Sequence, residues 1–256
     1  MSDWIRALDA ERLKLRRTLA LTLAFVVPLA IVALQVAALL ERGPVDSLYM
    51  DAGESPWQAF IRQTMNWWSL LMLPLFVTLE AALVGSVEHS GDHWKQLFAL
   101  PVSRSALYGA KQATVLALVL LSLVALIGYA VLAGAAVNVF YPGAPYGWTI
   151  PWGYALRLVA LVYVGSWLLV SLHTWVSLRW KSFVVPSALG IVMTVAGIMV
   201  INSDYGPYYP WTLSAVAMLE WVREGLLPLA PLAVSVIGGV AVALVGGWDV
   251  VRRDVL

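Results

Sequence analysis

A run of 23 residues without a charged side chain, Thr18 to Leu40, limits what this chain can fold into more than any other feature. At 1.5 Å of rise per residue, a helix of this length crosses a hydrocarbon layer of about 30 Å. The apolar region of a cleaved signal peptide is shorter, roughly 7 to 15 residues. The composition also favours lipid as the solvent, since only 12% of the residues are charged, against roughly 25% in soluble domains.

Five more apolar runs follow, and each is long enough to cross a membrane. The sequence therefore predicts an all-α, polytopic membrane protein with six transmembrane helices in a single transmembrane domain, residues 1–256. No internal repeat or low-complexity linker divides the chain. The further runs are Thr64 to Ser86, Gln112 to Val137, Tyr154 to Leu178, Phe183 to Ile201 and Leu227 to Val245.

The distribution of Lys and Arg predicts the orientation, because cytoplasmic loops carry an excess of these residues. With the N-terminus inside, 12 of the 16 basic residues fall on the cytoplasmic side, and Arg42, Arg62, Arg157 and Arg223 fall outside. We expect both termini in the cytoplasm and a multi-pass protein of the cell inner (plasma) membrane. The net charge is +1, and the basic residues lie near the ends of apolar runs rather than in one patch, which argues against a nucleic-acid partner.

The first 17 residues are predicted to form an amphipathic helix that lies in the membrane interface. Apolar side chains recur at helical spacing on one face, and cations lie on the opposite face. Anchoring to the inner leaflet explains this pattern, and contact with a cytoplasmic partner is an open alternative. The apolar face comprises Trp4, Ile5, Leu8, Leu15 and Leu19, and the cations are Arg6, Lys14 and Arg17.

Residues 88–108, between the second and third runs, have the pattern of a short helix between two helix-breaking signals. Asp92 is suited to cap the helix, and Pro101 ends it because proline disfavours helical geometry in the preceding residue. The apolar ridge of this helix, Trp94, Leu97 and Phe98, is too large for so small a loop to bury. Lipid or another protein must cover it.

Two segments resemble the type-2 ABC transporter permeases, particularly their bacitracin-resistance and lantibiotic-immunity branch. The first is Glu11 to Arg17, and the second extends from Glu88 through Trp94–Leu97 and Pro101–Arg104 to Lys111. The resemblance implies that residues 88–108 form a cytoplasmic coupling helix, which docks in a groove of a separate ATPase. The coupling residues that it implies are Glu88, Trp94, Lys95, Leu97, Phe98, Pro101 and Arg104.

The same resemblance implies an outer re-entrant helical hairpin between runs five and six, and a second permease chain, identical or different. The chain lacks Gly-x-x-x-x-Gly-Lys-Ser/Thr, so ATP and Mg are expected in the partner ATPase and no cofactor is expected here. The implied function is the permease subunit of an ATP-driven exporter for an amphiphilic peptide, drug or lipid. The alternative is an ATPase-independent binding, immunity or sensor protein that sequesters such a ligand.

Candidate functional residues lie inside and outside the predicted membrane core. Glu80 is the one acid inside a predicted span, where a charge costs a few kcal/mol, so it is either a functional acid or a satisfied structural one. Four aromatic residues suit an amphiphilic substrate at the outer leaflet, although headgroup anchoring explains them equally well. These outer residues are Tyr205, Tyr208, Tyr209 and Trp211.

An enzyme or metal site finds little support in the sequence. His89 and His93 have a zinc-binding spacing, but Gly91 interrupts the helix between them and His173 lies on another predicted span. There is no Gly-x-Ser-x-Gly nucleophile motif and no cysteine. We expect no catalytic site and no metal in this chain, and we expect Gly128 and Gly134 to permit close helix contacts.

Overall fold

The computed structural model describes residues 3–15, 18–42, 53–89, 103–140 and 149–252, with the side chains of residues 42 and 87–89 excepted. Within these residues all regular structure is helical, which confirms the all-α prediction for the described part. A π-helical turn, Trp68–Met72, joins α3 to α4, and a 3-10 turn, Gly206–Tyr208, precedes α9. The α-helices are α1 (Asp3–Leu15), α2 (Leu19–Arg42), α3 (Pro56–Trp67), α4 (Leu73–His89), α5 (Arg104–Phe140), α6 (Trp152–Gly165), α7 (Trp167–Arg179), α8 (Val184–Val200), α9 (Leu213–Glu224) and α10 (Leu229–Arg252).

All six predicted apolar runs are helical, but the resulting helices differ in whether they are long enough to span a membrane. Four described segments pass by length and apolar composition, and the bent pair α6 and α7 adds a fifth if it is one span. α8 is apolar but has only 17 residues. The four long segments are Leu19–Glu41, Pro56–Ser86, Arg104–Phe140 and Leu229–Arg252.

The second run begins earlier than the sequence predicted, at Pro56 rather than Thr64. Ser55 and Gln58 form a reciprocal capping box, and the proline occupies the first turn, so the helix has a well-defined start. Arg62 lies inside this helix and forms two hydrogen bonds of 2.8 Å to the Glu54 carboxylate. The predicted run begins after this arginine, at Thr64, whereas the ion pair with Glu54 allows Arg62 to lie inside the helix.

The fourth run is not the single helix predicted over Tyr154 to Leu178. α6 and α7 meet at Ser166 with a bend of 41°. A neighbouring helix presses on this point: a Cβ on Gly165 would lie 2.7 Å from the Cα of Ser214 in α9. A Gly–Ser pair is a common cause of a kink, and here it also admits the backbone of a second helix.

Ser235 on α10 supplies the hydrogen bonds that are lost at this bend. Its hydroxyl donates to the Val164 carbonyl at 2.7 Å and accepts the Leu168 amide at 3.4 Å. Broken helices in an apolar bundle need such partners, because an unsatisfied backbone group costs several kcal/mol in hydrocarbon. The break is therefore stabilised by a residue about 70 positions further along the chain.

Contacts between α5 and the helices before it define two ends of the bundle. Lys111 near the start of α5 contacts the end of α4 at Val84, whereas Gly134 near the end of α5 packs against Trp57 of α3. The helices are thus antiparallel. We call the end where α4 finishes and α5 begins the loop end. We call the opposite end, which contains residues 201–224, the hairpin end.

Large apolar residues lie both in the interior and on the surface of the bundle. Trp68 and Phe60 are fully buried, whereas Leu132, Ile237 and Leu244 are exposed, as expected for a bundle surrounded by lipid. The predicted role of Gly134 is confirmed by its contact with the Trp57 ring. The prediction for Gly128 is wrong within this chain, since a Cβ there would meet no described atom within 4 Å.

Candidate functional site

A buried ion pair connects three helices at the loop end. Lys111 on α5 and Glu11 on α1 are each 3% exposed, and the lysine Nζ lies 3.3 Å from the glutamate Oε2. The same ammonium donates to the Val84 carbonyl of α4 at 3.0 Å. Lys14 donates to the other oxygen of Glu11 at 2.7 Å. The helix that enters residues 88–108 and the helix that leaves them are thereby fixed to each other and to α1.

Further contacts attach the start of α5 to both ends of the described chain. The Ser103 amide donates to the Asp3 carboxylate of α1 at 3.2 Å. One guanidinium nitrogen of Arg104 donates to the Val251 carbonyl of α10 at 3.1 Å. The first and last described helices therefore both contact the start of α5.

The sequence-predicted coupling residues are described only at the edges of the loop. Glu88 lies in the last turn of α4, with its side chain outside the description, and Arg104 is the first residue of α5. The coupling role of all seven residues stays a prediction. Five of them lie outside the described residues, namely Trp94, Lys95, Leu97, Phe98 and Pro101.

α1 is a helix as predicted, and it packs on α5, where the Trp4 ring lies over Gly109. Ala7 and Glu11, four residues apart, are buried against α5, while Trp4, Ile5 and Leu8 are 37% to 48% exposed. Ile5, Leu8 and the exposed part of Trp4 are available to lipid. The buried acid of α1 was missed by sequence reasoning, and the signal for it was Lys111, a lysine at the edge of a long apolar run.

Glu80 lies inside the bundle on α4 and is 0% exposed. Neither carboxylate oxygen has a hydrogen-bond partner among the described residues. An ionised carboxylate in such a place is costly, so a neutral form or a partner outside the described contacts must compensate. The functional role of Glu80 stays a prediction. The observation in its favour is that the carboxylate is buried without a hydrogen-bond partner among the described residues.

His173 on α7 forms part of a separate interior contact. Its Nε2 lies 3.3 Å from the Thr78 hydroxyl of α4, and its ring meets Trp211 edge-on, with ring centroids 5.6 Å apart. Gly190 on α8 packs closely against the Thr78 side chain, which leaves no space for a side chain at position 190. Among the described residues, no group of three His, Asp or Glu side chains could hold a metal ion.

The four outer aromatic residues divide into two kinds at the hairpin end. Tyr205 and Tyr208 are 75% and 61% exposed. Tyr209 donates its hydroxyl to the Met193 carbonyl of α8 at 2.9 Å, and Trp211 is 6% exposed against His173. Two of the residues therefore point outward, where a ligand can reach them, and two hold the hairpin onto the bundle.

Comparisons with known proteins give one match. Residues 7–197, more than half of the 256-residue chain, match the family model described as ABC-2 family transporter protein. The matched range includes the buried ion pair, residues 88–108 and most of α8, but not the hairpin or α10. No curated protein matches the chain. No solved structure matches it either.

Proposed function

The chain belongs to the ABC-2 family of transporter proteins, and we propose that it is the permease subunit of an ATP-driven exporter. The family model supports a membrane permease of an ABC transporter, a component that is not itself catalytic. Association with an ATPase subunit follows from the family, and the chain has no phosphate-binding Gly-x-x-x-x-Gly-Lys-Ser/Thr motif of its own. In our proposal that subunit is a separate cytoplasmic P-loop protein, which binds ATP and Mg.

The observation that carries this proposal is the ion pair of Glu11 and Lys111, together with the contact of Lys111 to Val84. Force applied to a loop is useful only if the loop is attached to helices that move with it as packed, rigid elements. Both helices that flank residues 88–108 share the lysine, and α1 is attached to the same point. A displacement of the loop would therefore be passed to three helices at once.

In this proposal the ridge of Trp94, Leu97 and Phe98 fills a groove of the ATPase, where an exposed apolar ridge finds cover. Glu88 and Lys95 border the ridge, and Pro101 and Arg104 follow it in the sequence. Pro101 ends the coupling helix. Arg104 has a second task that the resemblance did not suggest, because its contact with Val251 transmits loop movement to α10.

We further propose six spans, with α6 and α7 as one bent span, α8 as a short one and both termini in the cytoplasm. The meeting of α1 and α10 at the loop end supports an even number of crossings. A second permease chain, identical or different, would complete a pathway, since closed symmetry is the common solution for paired subunits. The location in this proposal is the plasma membrane.

The substrate in this proposal is an amphiphilic peptide, drug or lipid that is moved across or out of the membrane. Resemblance to the bacitracin-resistance and lantibiotic-immunity branch favours a peptide. Tyr205 and Tyr208 support an approach from the hairpin end, because exposed aromatic side chains at headgroup level contact amphiphiles favourably. Tyr209 and Trp211 would position the hairpin rather than touch the substrate.

Co-purification from native membranes in mild detergent tests the proposal. We expect a stoichiometric P-loop ATPase with the unmodified chain and its loss in the double variant Trp94→Ala, Phe98→Ala. The matched control is Leu132→Ala, Phe140→Ala, which removes exposed apolar bulk from α5 away from the loop end and should retain the ATPase. Failure to find an ATPase with any of the three chains would favour the ATPase-independent binding or sensor protein.

A further inference from the structure

A pocket of about 180 Å³ opens at the hairpin end, between the end of α8, the 3-10 turn and α9. Its apolar wall includes Pro207, Val216 and Leu219. Two charged side chains of α9, Glu220 and Arg223, form part of the same wall. Asn202 adds an amide that can donate and accept hydrogen bonds. The pocket thus combines an apolar surface with one acid, one base, one amide and the hydroxyl of Ser203.

The two charges in this pocket are not paired with each other. Glu220 and Arg223 are three residues apart on one helix, a spacing at which opposite charges commonly attract. In the described part of the chain, neither side chain, nor the Asn202 amide, forms a hydrogen bond or an ion pair with another residue. Three strongly polar groups therefore border one small cavity with their bonding capacity unused by the protein.

The surroundings of Glu220 make a positively charged ligand favourable. Partial burial raises the pKa of Glu220 above its ordinary value, and the charge of the exposed Glu224 one turn away raises that pKa further. Both effects penalise the ionised carboxylate, and a cation in the pocket would offset both. Arg223 is exposed, so its guanidinium can reach an anionic group at the rim.

We propose that this pocket binds a zwitterionic phosphoethanolamine group, with its ammonium against Glu220 and its phosphate against Arg223. Asn202 would add a hydrogen bond to the phosphate, and the apolar wall would accept the short carbon linker. The pocket volume of about 180 Å³ suits a headgroup rather than a drug, since sites for drug-sized ligands enclose about 300 to 1,000 Å³. This site goes beyond the proposed function, because binding here requires no ATPase.

Titration of the purified full chain with soluble phosphoethanolamine, followed by thermal unfolding and isothermal calorimetry, tests the assignment. We expect binding by the unmodified chain and a loss of about tenfold or more in affinity for Glu220→Gln and for Arg223→Gln, since each removes a charge-assisted hydrogen bond. The matched control is Glu41→Gln, an exposed acid of α2 that does not line the pocket, and this variant should bind with unchanged affinity. An equal loss in all three variants would overturn the proposal.

A ligand series on the unmodified chain keeps the test independent of any variant's folding. Inorganic phosphate and ethylamine should each bind at least about tenfold more weakly than phosphoethanolamine, because each engages only one of the two charges. Equal binding of either fragment would overturn the zwitterion assignment. Nanodiscs show whether the phosphoethanolamine group belongs to a lipid or to a soluble molecule. A lipid is indicated if phosphatidylethanolamine, but not phosphatidylglycerol, blocks binding of the soluble ligand. A soluble source is indicated if neither lipid blocks it.

Discussion

The two ends of the bundle treat charged side chains in opposite ways. At the loop end, Glu11 and Lys111 are almost completely buried and bonded to each other, and Lys111 also donates to a backbone carbonyl. At the hairpin end, Glu220 and Arg223 border an open pocket and pair with no described residue. The buried pair fixes helices relative to one another, whereas the unpaired charges remain available to a ligand.

The difference has an energetic side as well. Removal of one partner from a buried ion pair typically costs 3 to 5 kcal/mol, because the remaining charge is left in a poor solvent. Exposed charges contribute roughly 0 to 1 kcal/mol to stability. The same residue types therefore act as structural connections at the loop end and as recognition groups at the hairpin end. The comparison predicts that mutations at the loop end will mainly lower the free energy of unfolding, whereas mutations at the hairpin end will mainly weaken ligand binding.

The largest effect is expected for Lys111→Met, which leaves the Glu11 carboxylate buried with Lys14 alone as its described partner. The variant should lose about 3 kcal/mol or more of unfolding free energy, measured by denaturant titration in mixed micelles. Lys181→Met, at an exposed position, is the matched control and should change stability by less than about 0.5 kcal/mol.

A double variant sharpens this test. Glu11→Leu together with Lys111→Met removes both charges and should recover most of the stability lost by the single change, since no buried charge then remains unpaired. If Lys111→Met destabilises no more than its exposed control, the loop end is not a rigid junction, and the contrast between the two ends disappears.

A smaller effect on stability is expected at Glu80, between the two ends. Glu80→Gln removes no hydrogen bond within the described residues, so the unfolding free energy should change by about 1 kcal/mol or less. Our expectation for function is different: ATP-driven transport in proteoliposomes should fall about tenfold, because the change removes an ionisable group from the interior. Glu41→Gln, at an exposed end of α2, is the control for both measurements. Unchanged transport would assign Glu80 a structural role only.

Local patterns in the sequence were sufficient to predict that the six apolar runs are helical and in what order they follow. Long apolar runs have few alternatives in a chain of this composition, so all six are helical, the fourth as two helices. Helix boundaries were less certain, since the start of α3 depends on a capping box and on the partner of Arg62. Length alone also could not tell a straight span from the bent pair α6 and α7.

Contacts between distant positions could not be predicted in the same way. Glu11 and Lys111 are 100 residues apart, and the bend at Ser166 is stabilised by Ser235 about 70 residues later. Nothing in the local pattern identifies such partners. Residue type alone also did not predict the orientation of the outer aromatic residues. Tryptophan is typical of interfacial anchors, but Trp211 packs inward against His173.

The central claim, that residues 88–108 couple this permease to an ATPase, is tested most directly by site-specific cross-linking in native membranes. A photoreactive benzoylphenylalanine would replace Leu97 on the coupling ridge or, as a control, the lipid-exposed Leu132 on α5. We predict an ATPase adduct at position 97 and none at position 132. Cross-links from position 97 to lipid alone, in membranes where the ATPase is present, would contradict the account.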